Sequence, residues 1–175
     1  MKNTLFQTPY YQYSVSNWQE KKKQLLSLLD NGKFKYCDQF FSDRSQNSNT
    51  YLKDFTNIIQ TELENFRLEL GLSTIFVTDV WTVKYKTGDF HAPHTHSSFG
   101  YSGVLYLDYD QYQHTGTCFV NPITNPITDL TDGMAPTVYE GDIVLTPSNI
   151  LHFTYPNKSI KDRIIMGFDI KFKLQ

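Results

Sequence analysis

Three of the chain's five histidines fall within six residues, HAPHTH, as His91, His94 and His96. Imidazole is the commonest side-chain ligand for metal ions. On an extended strand, residues two apart point to the same face, so His94 and His96 can share one ion while Thr95 points away. His91 and His94 stand three apart and diverge on a strand. They converge only if the chain turns, which Pro93 permits without requiring. Chance clustering of histidines in a polar loop is the bland explanation, and the HxH pair alone does not displace it. A zinc-hydrolase site is a weaker metal reading, because Ser97 and Ser98 follow His96 where such sites usually add Asp-His.

The stretch EGDIVLTPSNILHFTYPNKSIKDRIIMGFDI adds a third histidine, His152, and an arginine, Arg163. It reads as a turn, a strand, a second strand carrying His152, a turn at Pro156-Asn157, and a last strand opening with Arg163. Antiparallel neighbours joined by such a turn would place His152 and Arg163 on adjacent strands. On the last strand Arg163, Ile165 and Gly167 alternate against Ile164, Met166, Phe168 and Ile170. An arginine facing a barrel interior needs an anion, and a guanidinium holds a carboxylate through paired hydrogen bonds. A ligand that chelates a metal at one end and carries a carboxylate at the other fits this spacing. A rim salt bridge is the plainer use of the same residue. Because lysines outnumber arginines 13 to 3, each arginine still merits inspection.

The elements that must position these residues divide the chain in two. Residues 18–30 carry Leu25, Leu26, Leu28 and Leu29 and read as a helix stopped by Asn31-Gly32. Leu52, Phe55, Ile59, Leu63, Phe66 and Leu70 recur at spacings of three and four, which predicts a second helix capped by Gly71. From Ser73 onward the pattern is β, with strands expected near 74–86, 101–109, 116–120, 136–139, 142–146, 150–155 and 162–173. Many short strands behind two helices predict a mainly β sandwich or jelly roll with the helices packed on one sheet. Residues 121–136, NPITNPITDLTDGMAP, read as a long loop across one mouth and a candidate substrate lid.

At 175 residues the chain is expected to form one domain, with a helical support over 1–72 and a catalytic core over 73–175. Aromatics reach 15%, which favours strands and a flat-walled pocket. With a formal charge of −2 and scattered basic residues, nothing points to a nucleic-acid partner. The lysines at 21–23 read as the solvent side of a helix. Cys37 and Cys118 form no C-x-x-C motif and read as reduced intracellular thiols, which makes the expected location cytoplasmic. The opening MKNTLFQTPYYQYSV has no apolar core of signal-peptide length, and no apolar run approaches a membrane span.

Together these residues resemble the Fe(II)/2-oxoglutarate-dependent dioxygenases, in particular the prolyl-hydroxylase-like branch and its small bacterial and phage members. The resemblance covers about residues 73–173, and the opening TLFQTP followed by two helices is similar as well. The family shows a tyrosine, a glycine, H-x-D or H-x-E, a strand ending Tyr-Leu, a Gly-Asp turn, a distal histidine and an arginine. Here the pattern reads YKTGDFHAPHTH, SGVLYL, EGD, PSNILH and DRI. The resemblance implies a cupin-like double-stranded β-helix in which His94 and His152 are metal ligands and His96 stands at the carboxylate position. It implies that Arg163 and Tyr106 hold the distal carboxylate of 2-oxoglutarate and that Tyr85 lines the pocket. The implied cofactors are Fe(II) and 2-oxoglutarate, and the implied partners are molecular oxygen and a small-molecule or peptide substrate that the sequence does not name. The implied activity is that of a hydroxylase, an oxidoreductase that converts 2-oxoglutarate to succinate.

His96 is a departure from that pattern, since the family usually places Asp or Glu there. A third neutral histidine leaves the metal one charge more positive and can lower its preference for iron over zinc or nickel. Three-histidine iron sites occur in related cupin-like dioxygenases, and Asp89 or Asp108 are candidates to complete the shell. Two other classes fit part of the pattern. A three-histidine cupin-type dioxygenase that uses no 2-oxo acid leaves Arg163 and Tyr106 without a task. A non-catalytic barrel that binds a metal or a small acid leaves the ligand set unused. Succinate production separates the leading class from both.

Overall fold

The structure, a computed structural model, describes residues 8–47 and 50–173. Of the TLFQTP segment, residues 4–7 lie outside the described residues, as does the start of the opening stretch read for a signal peptide.

Two sheets face each other. The order of elements is β1 (Tyr11–Ser14), α1 (Trp18–Ser27), a 3-10 turn (Asn31–Lys33), β2 (Lys35–Tyr36), β3 (Phe41–Ser42), α2 (Arg44–Asn47), α3 (Leu52–Ile58) and α4 (Gln60–Glu69). The chain continues through β4 (Ile75–Tyr85), β5 (His91–His94), β6 (Tyr101–Asp108), β7 (Cys118–Val120), β8 (Gly133–Met134), β9 (Asp142–Pro147), β10 (His152–Thr154) and β11 (Arg163–Phe172). The larger sheet runs β1-β9-β6-β11-β4-β3-β2 and the smaller β5-β10-β7-β8. Every pairing in both sheets is antiparallel.

The period of two along β11 sorts its side chains between two cores. Met166, Phe168 and Ile170 join Val80, Leu105 and Leu107 beneath Leu25, Phe55, Ile59 and Phe66 of the helical layer. On the opposite face Ile165 joins Trp81, Val83, Tyr85, Tyr106, Phe119 and Val144 between the sheets. The jelly-roll expectation holds, with the helices on the outer face of the larger sheet. The first 72 residues also contribute β1, β2 and β3 to that sheet, so they are not a purely helical support.

Several expected elements take other forms. The apolar stripe of 52–70 is intact, but the helix breaks at Ile59, whose φ −103 and ψ 20 separate α3 from α4. The residues at the break, Thr56-Asn57-Ile58-Ile59, are β-branched or amide types that hold a helix weakly. Gly71 caps the second segment at φ 65. The strand expected at 136–139 is replaced by β8 at Gly133–Met134. Pro136 has no N–H to give a ladder, and the Tyr139 N–H donates to the Asp142 carboxylate at 2.9 Å. Much of 121–136 is nevertheless loop, and it walls a cavity of about 380 Å³ against Phe119, Thr146 and Ile150.

Two of the three clustered lysines do more than coat a helix. Lys21 reaches Glu62 at 3.5 Å and Lys22 reaches Glu140 at 2.7 Å, tying α1 to α4 and to the loop before β9. Asp43, fully buried, accepts hydrogen bonds from the Tyr51 hydroxyl and the Thr82 amide, both at 2.7 Å, and fastens the start of α3 to β4. Among the described residues no helix is long and apolar enough to cross a membrane.

Candidate metal centre

His94 ends β5, and His152 opens β10 directly opposite it in the register. Their rings lie 4.3 Å apart between centroids. His96 sits just past the end of β5, where its backbone N–H donates to the Ser148 carbonyl at 3.0 Å. Its ring packs against Trp81 at 5.3 Å, and Trp81 has room there because residue 167 is glycine, where a Cβ would meet the indole at 2.5 Å. One ligand atom from each of His94, His96 and His152 falls within 4.8 Å of the other two, close enough to share one ion.

The hydrogen bonds decide which nitrogen of each ring is free. His94 Nδ1 faces the Ala92 carbonyl at 2.8 Å, and His152 Nδ1 faces the Ile150 carbonyl at 2.9 Å. His96 Nδ1 faces Asp169 Oδ1 at 3.0 Å. An imidazole that donates from Nδ1 keeps its lone pair on Nε2, so each ring keeps its ligating nitrogen free. Burial disfavours protonation of His94 and pushes His152 down to about 4. Neutral imidazole is the ligating form.

His91 is near the triad without belonging to it. Its ring stacks on His94 at 3.9 Å and on Phe40 at 4.2 Å, and its Nδ1 lies 3.3 Å from the Tyr85 hydroxyl. Burial, followed by the neighbouring histidines, pushes it down to about 3.

Arg163 is 2% exposed, and its guanidinium lies over the Tyr85 ring at 4.1 Å. One arm, Nη1, donates to the Thr115 carbonyl. Nε and Nη2 are buried with no hydrogen-bond partner. A buried cation with two unanswered donors on one fork is built for a carboxylate, so the donor set fits a 2-oxo diacid. Tyr106 is fully buried, and its hydroxyl accepts the Thr117 amide at 3.1 Å.

His152 and Arg163 are not on adjacent strands. β10 pairs with β5 and β7, whereas β11 pairs with β4 and β6, so the two residues come from facing sheets. The turn at Pro156-Asn157 carries the chain across the barrel instead of along one sheet. Asp89 and Asp108 do not complete the shell either. Asp89 accepts from the Lys86 amide, and Asp108, 53% exposed at its side chain, pairs with Lys22. The carboxylate beside the triad is Asp169, which sequence reasoning missed. Asp169 continues the inward row Arg163, Ile165, Gly167 by one more step of two, a spacing that gives its face but not the histidine it meets.

The barrel interior between the triad and Ile165 leaves about 30 Å³ of open space. A wider cleft of about 420 Å³ reaches His91, His94 and His96 from outside, past Arg44 and Trp81.

Two facing antiparallel sheets around an inward histidine triad and a buried guanidinium define a double-stranded β-helix with a candidate metal centre. A family model described as "Putative 2OG-Fe(II) oxygenase" matches residues 79–169, more than half of the chain, and the chain belongs to that family. No curated protein matches it. Solved structures share the fold at low identity. The non-heme alpha-ketoglutarate-dependent carbocyclase SnoK from nogalamycin biosynthesis is 12% identical with a TM-score of 0.69, over 93% of this chain and 79% of that one. The viral collagen prolyl hydroxylase of Paramecium bursaria Chlorella virus-1, in its 2OG complex, is 13% identical with a TM-score of 0.64, over 94% and 96%. HygX from Streptomyces hygroscopicus, with nickel, 2-oxoglutarate and hygromycin B bound, is 12% identical with a TM-score of 0.66, over 93% and 82%. The chain is an Fe(II)- and 2-oxoglutarate-dependent oxygenase, with iron(II) as cofactor and 2-oxoglutarate as co-substrate.

Proposed function

We propose that His94, His96 and His152 hold the iron, that Arg163 holds the distal carboxylate of 2-oxoglutarate, and that the product is a hydroxylated small molecule or peptide side chain. The observation that carries this is the pair of unpartnered donors on buried Arg163 in the same barrel as three imidazoles with free Nε2 atoms. Iron with 2-oxoglutarate would supply the oxidising chemistry, with molecular oxygen as oxidant: one oxygen atom ends in the succinate formed as the 2-oxo acid loses carbon dioxide, and the other in the hydroxylated substrate.

The chain's own residues bind and orient. Arg163 neutralises the distal carboxylate, and the Tyr85 ring packs against the guanidinium and holds it in place. Tyr106 holds the Thr117 amide in the same part of the barrel and lines the co-substrate end. The interior volume of about 30 Å³ is close to one water's share of the liquid, so co-substrate loading requires the lining side chains to repack. Substrate approaches through the cleft beside Arg44 and Trp81, which opens onto His94 and His96. The loop at 121–136 acts as the lid on the opposite side. The described parts of 1–72 and 73–175 work as one folding unit, since the helices and the larger sheet share a single core. A cytoplasmic location goes with this reading, supported by the unpaired Cys37 and Cys118, and cell fractionation tests it.

The decisive assay is succinate formation by anaerobically reconstituted protein after admission of oxygen. Succinate should require both iron(II) and 2-oxoglutarate and should vanish in His152→Ala. Oxygen uptake that proceeds equally without any 2-oxo acid would support the cupin-type reading instead.

A further inference from the structure

Two of the three triad histidines donate from Nδ1 to a neutral backbone carbonyl two residues back, and the third donates to a carboxylate. That third ring is His96, which stands where related sites carry their negative charge. Asp169 is held in place from several sides. The Ser102 hydroxyl donates to Asp169 Oδ1 at 2.7 Å, and Ser148 Oγ lies 2.9 Å from Ser102 Oγ. Arg44 Nη2 stands 3.8 Å from Oδ2 and also binds Asp79 at 2.9 Å. Asp79 is the register partner of Asp169 across β4 and β11, so Arg44 offsets two carboxylates that would otherwise repel. The same guanidinium lies over Trp81 at 3.9 Å, and Trp81 packs on the His96 ring. Asp169, Arg44 and Trp81 thus fix the plane and the proton of one ring.

We propose that Asp169 is the positioning residue of the metal centre: it locks the His96 proton on Nδ1 and supplies, one hydrogen bond behind that ring, the negative charge that a triad of neutral imidazoles lacks. This rests on the assignment of His96 as a ligand. A carboxylate behind a ligating histidine orients the ring and raises its basicity, and removing such a partner typically weakens metal binding by about 10–100-fold. An acceptor without charge should do part of the work. In Asp169→Asn the amide oxygen can still accept from His96 and Ser102, but the charge is gone.

The experiment titrates metal-free protein with cobalt(II) under argon, reading affinity and the visible ligand-field spectrum, so no turnover is needed. Asp169→Ala should bind about 10–100-fold more weakly than wild type, with a changed spectrum. Asp169→Asn should fall between the two. Asp79→Asn, which removes the neighbouring carboxylate that touches no histidine, should bind within about threefold of wild type, well inside the expected loss. Thermal melting of the metal-free variants shows whether the fold persists, and Asp169→Asn carries the comparison if Asp169→Ala does not fold. Wild-type affinity in the Asp169 variants, with binding lost in His96→Ala, would overturn the proposal and leave the triad standing. Equal losses in Asp169→Asn and Asp79→Asn would also overturn it, since the effect would then be general to the strand pair. Unchanged binding in His96→Ala would overturn the triad and the proposal with it.

Discussion

Arg163 and Tyr106 are both buried, yet their removal should be felt in different measurements. Arg163→Ala deletes a buried cation with two free donors, so 2-oxoglutarate affinity should fall by about 2–5 kcal/mol while metal affinity changes little. Calorimetry on nickel-loaded protein reads this directly, and equal affinity in the two proteins would remove Arg163 from the site. Tyr106→Phe leaves the Thr117 amide without its acceptor, so it should lower folding stability by about 1 kcal/mol in a urea titration. The histidines and Arg163 were legible in the sequence because their types are scarce and their chemistry is narrow. Asp169 was not, because an aspartate in a strand reads as a surface residue until His96 is known to lie against it. The two residues are 73 positions apart, and only the pairing of sheets brings them together.

The long strands carry the site, and their length and apolar content were the readable part. β4 alternates over its first five residues and is then buried on both faces, β11 is buried over most of its length, and the extents of both match expectation to within a residue or two. The short strands β1, β2, β3 and β5 were invisible as strands, because two to four residues give too little alternation to register and, apart from the β2–β3 pair, their partners lie far along the chain. The helix stripe was legible but its break was not, since Phe55 and Ile59 stay buried through it. Gly167 shows how an element transmits to the site. Gly167→Ala would drive a methyl into the Trp81 indole, which backs His96. Overpacking of this kind costs about 1–3 kcal/mol, and here it should also move Trp81 away from the ring. Reduced cobalt affinity together with altered tryptophan fluorescence is the expected outcome; unchanged affinity would mean that Trp81 does not support His96.

Across the whole molecule, burial of histidines ties folding to pH. His152 is held down to about 4 and His91 to about 3, against an ordinary value of 6.5. Both are neutral in the folded chain at pH values where the unfolded chain would protonate them. The unfolded state therefore binds more protons below 6.5, and stability falls as pH drops from there toward the folded values. Metal-free protein should show a lower urea midpoint at pH 5 than at pH 7.5. His91→Phe, which keeps an aromatic ring between Phe40 and His94, should flatten that dependence, and an unaltered slope would exclude His91 as a source. The measurement that bears most directly on how the barrel, its two sheets and its three histidines form one site is iron content after anaerobic reconstitution. One iron(II) per chain is expected in wild type and in His91→Ala, and almost none in the His94→Ala/His152→Ala double variant. Iron retained by the double variant, or lost from His91→Ala alone, would contradict the assignment of the metal to His94, His96 and His152.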